Sequence, residues 1–402
     1  MKCGLLGRKL GHSYSPAIHA QLGDYAYALY EKEPEQLEDF LRNGDWDGIN
    51  VTIPYKQTVI PFLDELTPIA SKLGAVNTIV RRNGRLIGHN TDYFGFRYLM
   101  EQSNYSPAGK KCLVLGSGGA SHTAVAVLEE LGSSVIVISR NGADNYENLH
   151  RHPDTSLIVN TTPVGMYPNT GVSSVNLDLF PQLECVTDVV YNPCRTQLML
   201  DAETRGIPVF GGLAMLVAQA WEAAKWFTGN PIPDCKMESI HATLKAQMEN
   251  IVLIGMPGCG KSTVGALLAE KTGRTFVDAD SEIEKLAQKS IPQIFADDGE
   301  AVFRNLETQV LAALGRQSGL VIATGGGCVT RWENYPLLHQ NGTLYWLQRD
   351  WGKLPTNGRP LSKNLQELFA TRKPMYEAFA DHVVDNNGTT EATVNTILEG
   401  FQ

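Results

Sequence analysis

The chain has 402 residues, of which 43% are hydrophobic and 19% charged, with a formal net charge of −9. At roughly 100–200 residues per domain, that length predicts about two to four domains, each able to bury a core. The acidic balance argues against a general nucleic-acid binder, although it leaves room for anionic small ligands in locally positive pockets.

The seven cysteines, at 3, 112, 185, 194, 235, 259 and 328, are scattered and show no CxxC spacing. That pattern fits free thiols in a reducing compartment better than a disulfide framework or a zinc site. No apolar run approaches the ~18 residues of a membrane span. The opening MKCGLLGRKLGHS has no long apolar stretch of the secretory kind. A cytoplasmic location is expected, with no membrane and no nucleic-acid partner; the oligomeric state is left open.

Three polar clusters come first: GHSYSP at 11–16, INVTIPYK at 49–56, and GAVNT with GHNTD at 74–78 and 88–92. Each gathers small hydroxyl or amide side chains beside an apparent strand end. Such groups suit a ligand rich in hydroxyls and carrying a carboxylate. Individually, Ser13 and Ser15 also suit a turn or cap, Asn77 a loop closure, Lys56 a solvated surface and Asp92 a helix cap.

Short apolar runs then alternate with helical patterns. KCLVLG (111–116), SVIVIS (134–139), SLIVN (156–160) and CVTDVV (185–190) read as buried parallel strands. SHTAVAVLEELG reads as a helix after the first of them, and a long apolar helix follows Phe210. Between the first strand and its helix lie Gly116, Ser117, Gly118, Gly119 and Ala120, with Ser121 where GxGxxG has its third glycine. Glycines there let backbone N–H groups approach a pyrophosphate at a helix N-terminus; a tight turn without ligand is the plainer alternative. The next strand ends at Ser139-Arg140, and Arg140 lies 24 positions after Gly116. An acidic residue near that place would suit the ribose of NAD, whereas an arginine suits the 2′-phosphate of NADP. NADP(H) is therefore expected, against the alternative of a solvated surface arginine.

The GNPIP turn near 229–233 precedes a helical stretch, so any linker is confined to a few residues around Glu249. A second α/β pattern opens at NIVLIG (250–255). It predicts a helix at 260–272, a strand at 274–277, helices near 281–289 and 300–314, strands at 320–324 and 343–347, and a last helix at 391–400. GMPGCGKST (255–263) fits G-x-x-x-x-G-K-[ST] between a strand and a helix, which marks a phosphate-binding P-loop. Gly258, Cys259, Gly260, Lys261, Ser262 and Thr263 are expected to hold ATP, with Lys261 at the β/γ-phosphates and Ser262 on Mg²⁺. Asp278, Asp280, Arg304, Gly325–Gly327, Arg359 and Arg372 follow in that order. Taken singly, Asp280 also suits a helix cap, and isolated arginines are usually surface residues.

Over 1–248, the ordered matches HSxSP (His12–Pro16), NVTxPxK (Asn50–Lys56), GAVNT (Gly74–Thr78), NTD (Asn90–Asp92), the glycine loop, NTTPVGM (160–166), DVVYNP (188–193) and GGLAMLVAQA (211–220) resemble the shikimate dehydrogenase family. The resemblance implies that Ser13, Ser15, Thr52, Asn77, Tyr191 and Gln219 hold substrate, and that Lys56 and Asp92 form the catalytic pair. It also implies that the backbone at Val189 and Gly212 lines the nicotinamide. Lys9 stands where the family has proline. The family's Asn-Arg-Thr cofactor loop reads Ser139-Arg140-Asn141 here.

Over 250–402, DxD, FRxxE, GGG, RPL and RxPxY appear in the order of the shikimate kinase family. That resemblance implies that Asp280 binds the acceptor hydroxyls and serves as base, and that Arg304, Gly326 and Arg372 hold shikimate. It further implies that Arg359 on a short lid meets ATP and that Asp278 supports Mg²⁺.

The expected fold is α/β throughout. A substrate domain at about 1–95, a Rossmann NADP domain at about 96–215 and closing helices at 216–248 precede a P-loop kinase domain at 249–402. The implied reactions are reduction of 3-dehydroshikimate to shikimate, then phosphorylation to shikimate 3-phosphate. A quinate-type enzyme using NAD is opposed by Arg140 and by the attached kinase pattern. A metabolite sensor with decayed enzyme domains is opposed by the retained Lys56, Asp92, Lys261, Ser262 and Asp280.

Overall fold

The structure is a computed structural model that describes residues 1–11, 13–350, 352, 354 and 365–401. In chain order, the first part contains β1 (Lys2–Gly7), α1 (Ser15–Leu22), β2 (Ala26–Glu31), α2 (Leu37–Asn43), β3 (Gly48–Val51), β4 (Glu65–Leu66), α3 (Pro68–Leu73), β5 (Thr78–Arg82), β6 (Arg85–His89) and α4 (Asp92–Gln102). It continues with β7 (Lys111–Leu115), α5 (Gly119–Glu130), β8 (Ser134–Ile138), β9 (Thr155–Asn160), β10 (Cys185–Asp188), α6 (Gln197–Glu203), β11 (Val209–Gly211), α7 (Leu213–Thr228) and α8 (Asp234–Met248). The second part contains β12 (Asn250–Ile254), α9 (Lys261–Thr272), β13 (Thr275–Asp278), α10 (Ala279–Ala287), α11 (Ile291–Asp297), α12 (Gly299–Gly315), β14 (Leu320–Ala323), α13 (Asn334–His339), β15 (Gly342–Gln348), α14 (Leu365–Phe379), β16 (His382–Asp385) and α15 (Thr390–Phe401).

The chain divides into two compact units, and the division falls inside α8, between Thr243 and Leu244. One residue, Glu249, separates α8 from β12. Gly165–Val172 and Asn192–Leu200 cluster with the second unit, although they precede it in sequence. Main-chain hydrogen bonding accounts for part of this: the Arg195 N–H donates to the Gln340 carbonyl (2.9 Å) and the Cys194 N–H to Asn341 Oδ1 (2.8 Å).

The first unit holds two sheets. One has six strands in the order β2-β1-β3-β5-β6-β4; the other has five, β11-β10-β9-β7-β8. The five-stranded sheet is parallel throughout, as the apolar runs predict. Its inner strands are buried apart from Lys111 at the start of β7, while β8 lies at an edge and is only partly so. Phe96, Leu99 and Met100 of α4 pack on Val114, Val159 and Cys185 of this sheet. In the six-stranded sheet, β5 pairs antiparallel with both β3 and β6. That mixture brings the carboxyl ends of β3 and β6 to the amino end of β5.

In the second unit a parallel five-stranded sheet runs β13-β14-β12-β15-β16. All five residues of β12 are buried, because strands lie on both sides of it and helices cover its faces. The helices predicted near 281–289 and 300–314 are α10 and α12, shifted by one or two residues. Sequence patterning does not give α11, α13, the edge strand β16 or the fifteen-residue α14; the first three are too brief to show a period, whereas α14 carries Pro374 inside it.

Candidate active sites

In the first unit, sheet register assembles the polar clusters. Asn50 of β3 lies opposite Thr78 of β5, and Thr78 opposite His89 of β6. The Val51 N–H donates to the Asn77 carbonyl (2.8 Å), and the Asn77 N–H to the His89 carbonyl (3.1 Å). Thr52 and Lys56 leave the end of β3, while Asn90–Asp92 leave the end of β6, so the two segments meet. Lys56 Nζ donates to Asp92 Oδ2 at 2.6 Å, with side chains 23% and 12% exposed. The pair is shielded yet still open to a ligand. Asp92 is the first residue of α4, where the helix dipole favours its negative charge.

The loop-closing alternative for Asn77 is realised in geometry. Its Oδ1 accepts from the Thr91 N–H (2.7 Å) and its Nδ2 donates to Thr91 Oγ1 (3.0 Å). Asn77 thus fixes the turn that delivers Asp92. Ser13 Oγ accepts from the Ser15 N–H (3.2 Å), a turn bond, and Ser15 is buried. Tyr191 is half-buried, sets its ring edge-on to Tyr14 at 5.9 Å, and has its phenol pushed upward by burial. Helix α7 packs on α4 so closely that a Cβ on Gly95 would lie 3.1 Å from Gln219 Cβ. Gln219 therefore sits within one turn of Asp92.

The glycine loop runs from β7 into α5. Gly116 has φ +111°, and a Cβ there would meet Thr161 Oγ1 at 2.8 Å, so both conformation and space call for glycine. Gly118 caps α5 without a side-chain hydrogen bond, leaving first-turn N–H groups available for an anion. The Gly116 N–H donates to the Ile138 carbonyl (2.8 Å), which brings the end of β8, and Ser139 and exposed Arg140 after it, beside the loop. A Cβ on Gly119 would approach Lys56 Cδ at 4.0 Å, so the loop borders the Lys56–Asp92 pair. The Gly212 N–H donates to the Val190 carbonyl (3.0 Å), and a Cβ on Gly212 would collide with the Val189 backbone. The two expected nicotinamide-lining positions are therefore adjacent.

In the second unit, the P-loop and the candidate acceptor residues line one cavity of about 490 Å³. Its walls include Gly258, Gly260, Lys261, Ser262 and Thr263 from the loop, together with Asp280, Arg304, Gly326 and Arg372. Cys259 is buried beneath the loop. Lys261 Nζ donates to the carbonyls of Gly255 (2.8 Å) and Met256 (3.1 Å), with only 8% of the residue exposed. Ser262 Oγ donates to Asp278 Oδ2 (2.6 Å), which sets a hydroxyl and a carboxylate side by side. Such hard oxygen donors suit Mg²⁺, which takes one or two protein oxygens and completes its shell with phosphate and water. No group of three or more His, Cys, Asp or Glu suited to a metal occurs among the described residues. Asp278, not Asp280, caps α10, accepting from the N–H groups of Asp280 (3.0 Å) and Ser281 (3.4 Å). Asp280 is thereby released from the capping role. Arg359 lies outside the described residues.

Burial, with the Asp278 charge nearby, holds the Asp280 carboxyl above its ordinary range against the opposing pull of Lys261 and Arg304. Arg304 is buried and donates to Glu307 Oε2 (2.7 Å) and to Glu300 Oε1 (3.2 Å). Burial works against the Arg304 charge, but the two carboxylates outweigh it and hold the guanidinium protonated. Glu307 was given no role by sequence, although it completes FRxxE three residues after Arg304 on the same helix face. Asp280 Oδ1 and Glu307 Oε1 are buried without a hydrogen-bond partner among the described residues. A Cβ on Gly325 would lie 2.7 Å from the first and 2.8 Å from the second, so both oxygens face one point of the glycine run.

Both parts of the chain resemble known proteins. Residues 5–79 match the family profile "Shikimate dehydrogenase substrate binding domain", and residues 257–402 match "Shikimate kinase". The shikimate dehydrogenase (NADP(+)) of Dehalococcoides mccartyi is 39% identical over 255 residues, which cover 56% of this chain and 88% of that protein. The crystal structure of shikimate dehydrogenase 1 from Peptoclostridium difficile is 34% identical with a TM-score of 0.56, covering 61% of this chain and 97% of that one. Shikimate 5-dehydrogenase from Thermus thermophilus, solved with NADP(H) and shikimate, is 30% identical with a TM-score of 0.55, covering 60% and 99%. The chain belongs to the shikimate dehydrogenase family, and it carries a shikimate kinase domain at its C-terminal end.

Proposed function

We propose that this chain performs two consecutive reactions: NADPH-dependent reduction of 3-dehydroshikimate to shikimate, and ATP-dependent phosphorylation of shikimate to shikimate 3-phosphate. The observation that carries the first is the Lys56–Asp92 contact beside the glycine loop. The observation that carries the second is the single cavity uniting the P-loop with Asp280, Arg304 and Arg372.

In the first reaction NADPH supplies the hydride that enters the ketone carbon. Lys56 lies where negative charge builds on the ketone oxygen, stabilises it and donates the proton that completes the hydroxyl. Asp92 orients the ammonium group and accepts from a substrate hydroxyl. Ser13, Ser15, Thr52, Asn77, Tyr191 and Gln219 hold the carboxylate and remaining hydroxyls. Ser117, Gly118, Gly119 and Ala120 border the pyrophosphate, Arg140 pairs with the 2′-phosphate, and Val189 and Gly212 line the nicotinamide.

In the second reaction ATP supplies the γ-phosphoryl group. Lys261 releases its two loop carbonyls to meet the phosphates, and Ser262 with Asp278 holds Mg²⁺. Asp280 takes the proton of the acceptor hydroxyl, while Arg304, Gly326 and Arg372 bind shikimate through its carboxylate and hydroxyls. Domain limits near 1–248 and 249–402 are supported by the one-residue gap between α8 and β12, although the compact units divide inside α8. The chain acts in the cytoplasm, in keeping with its free cysteines.

The test supplies 3-dehydroshikimate, NADPH, ATP and Mg²⁺, and follows NADPH loss and ADP formation together. Both signals are expected, with ADP appearing only after NADPH begins to fall. Absence of either signal from the unmutated chain overturns the two-reaction reading.

A further inference from the structure

The carbonyl of Gly326 accepts two hydrogen bonds, from the Tyr376 hydroxyl (2.5 Å) and from Arg372 Nη1 (2.9 Å). Both donors lie on α14, four residues apart and so on one helix face, and they reach a glycine 46 and 50 positions earlier in the chain. A carbonyl has two lone pairs, and here both are engaged. Tyr376 is completely buried, its ring stacked on Trp346 of β15 with centroids 5.5 Å apart and planes 18° apart. Burial holds the phenol far above its ordinary titration range, so it remains a donor wherever the protein is folded.

The other side of Gly326 is equally constrained. A Cβ there would lie 2.6 Å from Pro257 Cδ and 2.8 Å from the Pro257 nitrogen. Pro257 belongs to the P-loop, so the backbone at Gly326 is pressed against the nucleotide side of the cavity while it lines the acceptor side. One residue therefore determines how the two subsites are spaced. Arg372 has five donors and must turn some of them to the acceptor carboxylate. Tyr376 has a single proton, and that proton is committed to Gly326.

We propose that Tyr376 is a positioning residue for the acceptor subsite: its hydroxyl holds the Gly326 carbonyl so that Gly326 and Arg372 stay in register with the P-loop. This rests on the kinase reading given above. The ring and the hydroxyl have separable roles. Ring packing on Trp346 supports the fold, whereas the hydroxyl sets the glycine run.

The test is Tyr376→Phe in the full chain, which keeps the ring. Kinase rates are measured with shikimate varied at saturating ATP and with ATP varied at saturating shikimate. The dehydrogenase rate is the control within the same molecule. The KM for shikimate is expected to rise roughly five- to tenfold, the span of one net hydrogen bond, while kcat and the KM for ATP stay within about twofold. Incorporation of 4-aminophenylalanine at 376, which restores a donor on the same ring, is expected to bring the shikimate KM back. An unchanged shikimate KM overturns the proposal, as does a fall in kcat with both KM values unchanged. Loss of folding of the second unit in both variants also overturns it, because the hydroxyl would then serve only the fold. If the unmutated chain turns over no shikimate, the kinase reading itself fails, an outcome distinct from a null effect of Tyr376→Phe.

Discussion

Lys56 Nζ and Asp92 Oδ2 stand 2.6 Å apart although 36 residues separate them in sequence. The contact exists because Lys56 leaves β3 and Asp92 leaves β6, and both strands pair with β5 between them. Lys56→Ala is expected to lower NADPH turnover on 3-dehydroshikimate by about two to four orders of magnitude, the usual worth of a positioned proton donor. Asp92→Asn should lower it by a similar order. Phosphorylation of added shikimate should be unaffected in both variants, as read by ADP release.

Arg140 follows the end of β8 beside Gly116. If Arg140 pairs with the 2′-phosphate as proposed, replacing it with alanine removes a charge-assisted contact, a loss of about 1.5–3 kcal/mol. The KM for NADPH should rise by roughly ten- to a hundredfold, and the KM for NADH should change little. An unaltered preference for NADPH would remove Arg140 from the cofactor site.

The Ser262–Asp278 contact sets a hydroxyl and a carboxylate side by side, where Mg²⁺ is proposed to bind. Chelation of divalent cations is expected to abolish ADP formation and to leave NADPH oxidation intact. Lys261→Ala should abolish kinase activity in the same way even with Mg²⁺ in excess. A kinase that survives chelation would exclude the metal role.

Glu307 is fully buried against Arg304, with Nη1 to Oε2 at 2.7 Å. Burial pushes its carboxyl upward against the pull of Arg304. Glu307→Ala leaves a buried guanidinium short of a partner, and about 3–5 kcal/mol of second-unit stability should be lost, by analogy with other broken buried pairs. Glu307→Gln, which keeps the shape, should be milder. Thermal unfolding of the two variants checks the order.

His19 is buried, its ring stacked on Tyr27 at 4.1 Å and its Nδ1 2.7 Å from the Tyr25 hydroxyl. Burial lowers its pKa to about 3, and His89 is lowered by burial to about 4, both from an ordinary 6.5. The unfolded chain thus binds these protons more readily than the folded one, so their contribution is complete above 6.5. Stability of the first unit should decline as the pH falls from about 6.5 towards 4. His19→Gln should flatten that decline in unfolding curves recorded at about pH 7, 6 and 5.

Much of this protein was legible in one dimension. The P-loop, the dinucleotide loop and the parallel strands are local features, set by glycine placement and by apolar runs whose length and spacing the backbone itself dictates. Tertiary structure decided which polar residues act together and which brace their neighbours. Asn77 is engaged with Thr91, Asp278 rather than Asp280 caps α10, and Glu307 and Tyr376 prove to be partners of Arg304 and Gly326. The Asn77 and Tyr376 contacts depend on strand register and helix packing across 14 and 50 residues. Sequence patterning carries the face a residue occupies, but the partner it meets there is chosen by the chain that folds back against it.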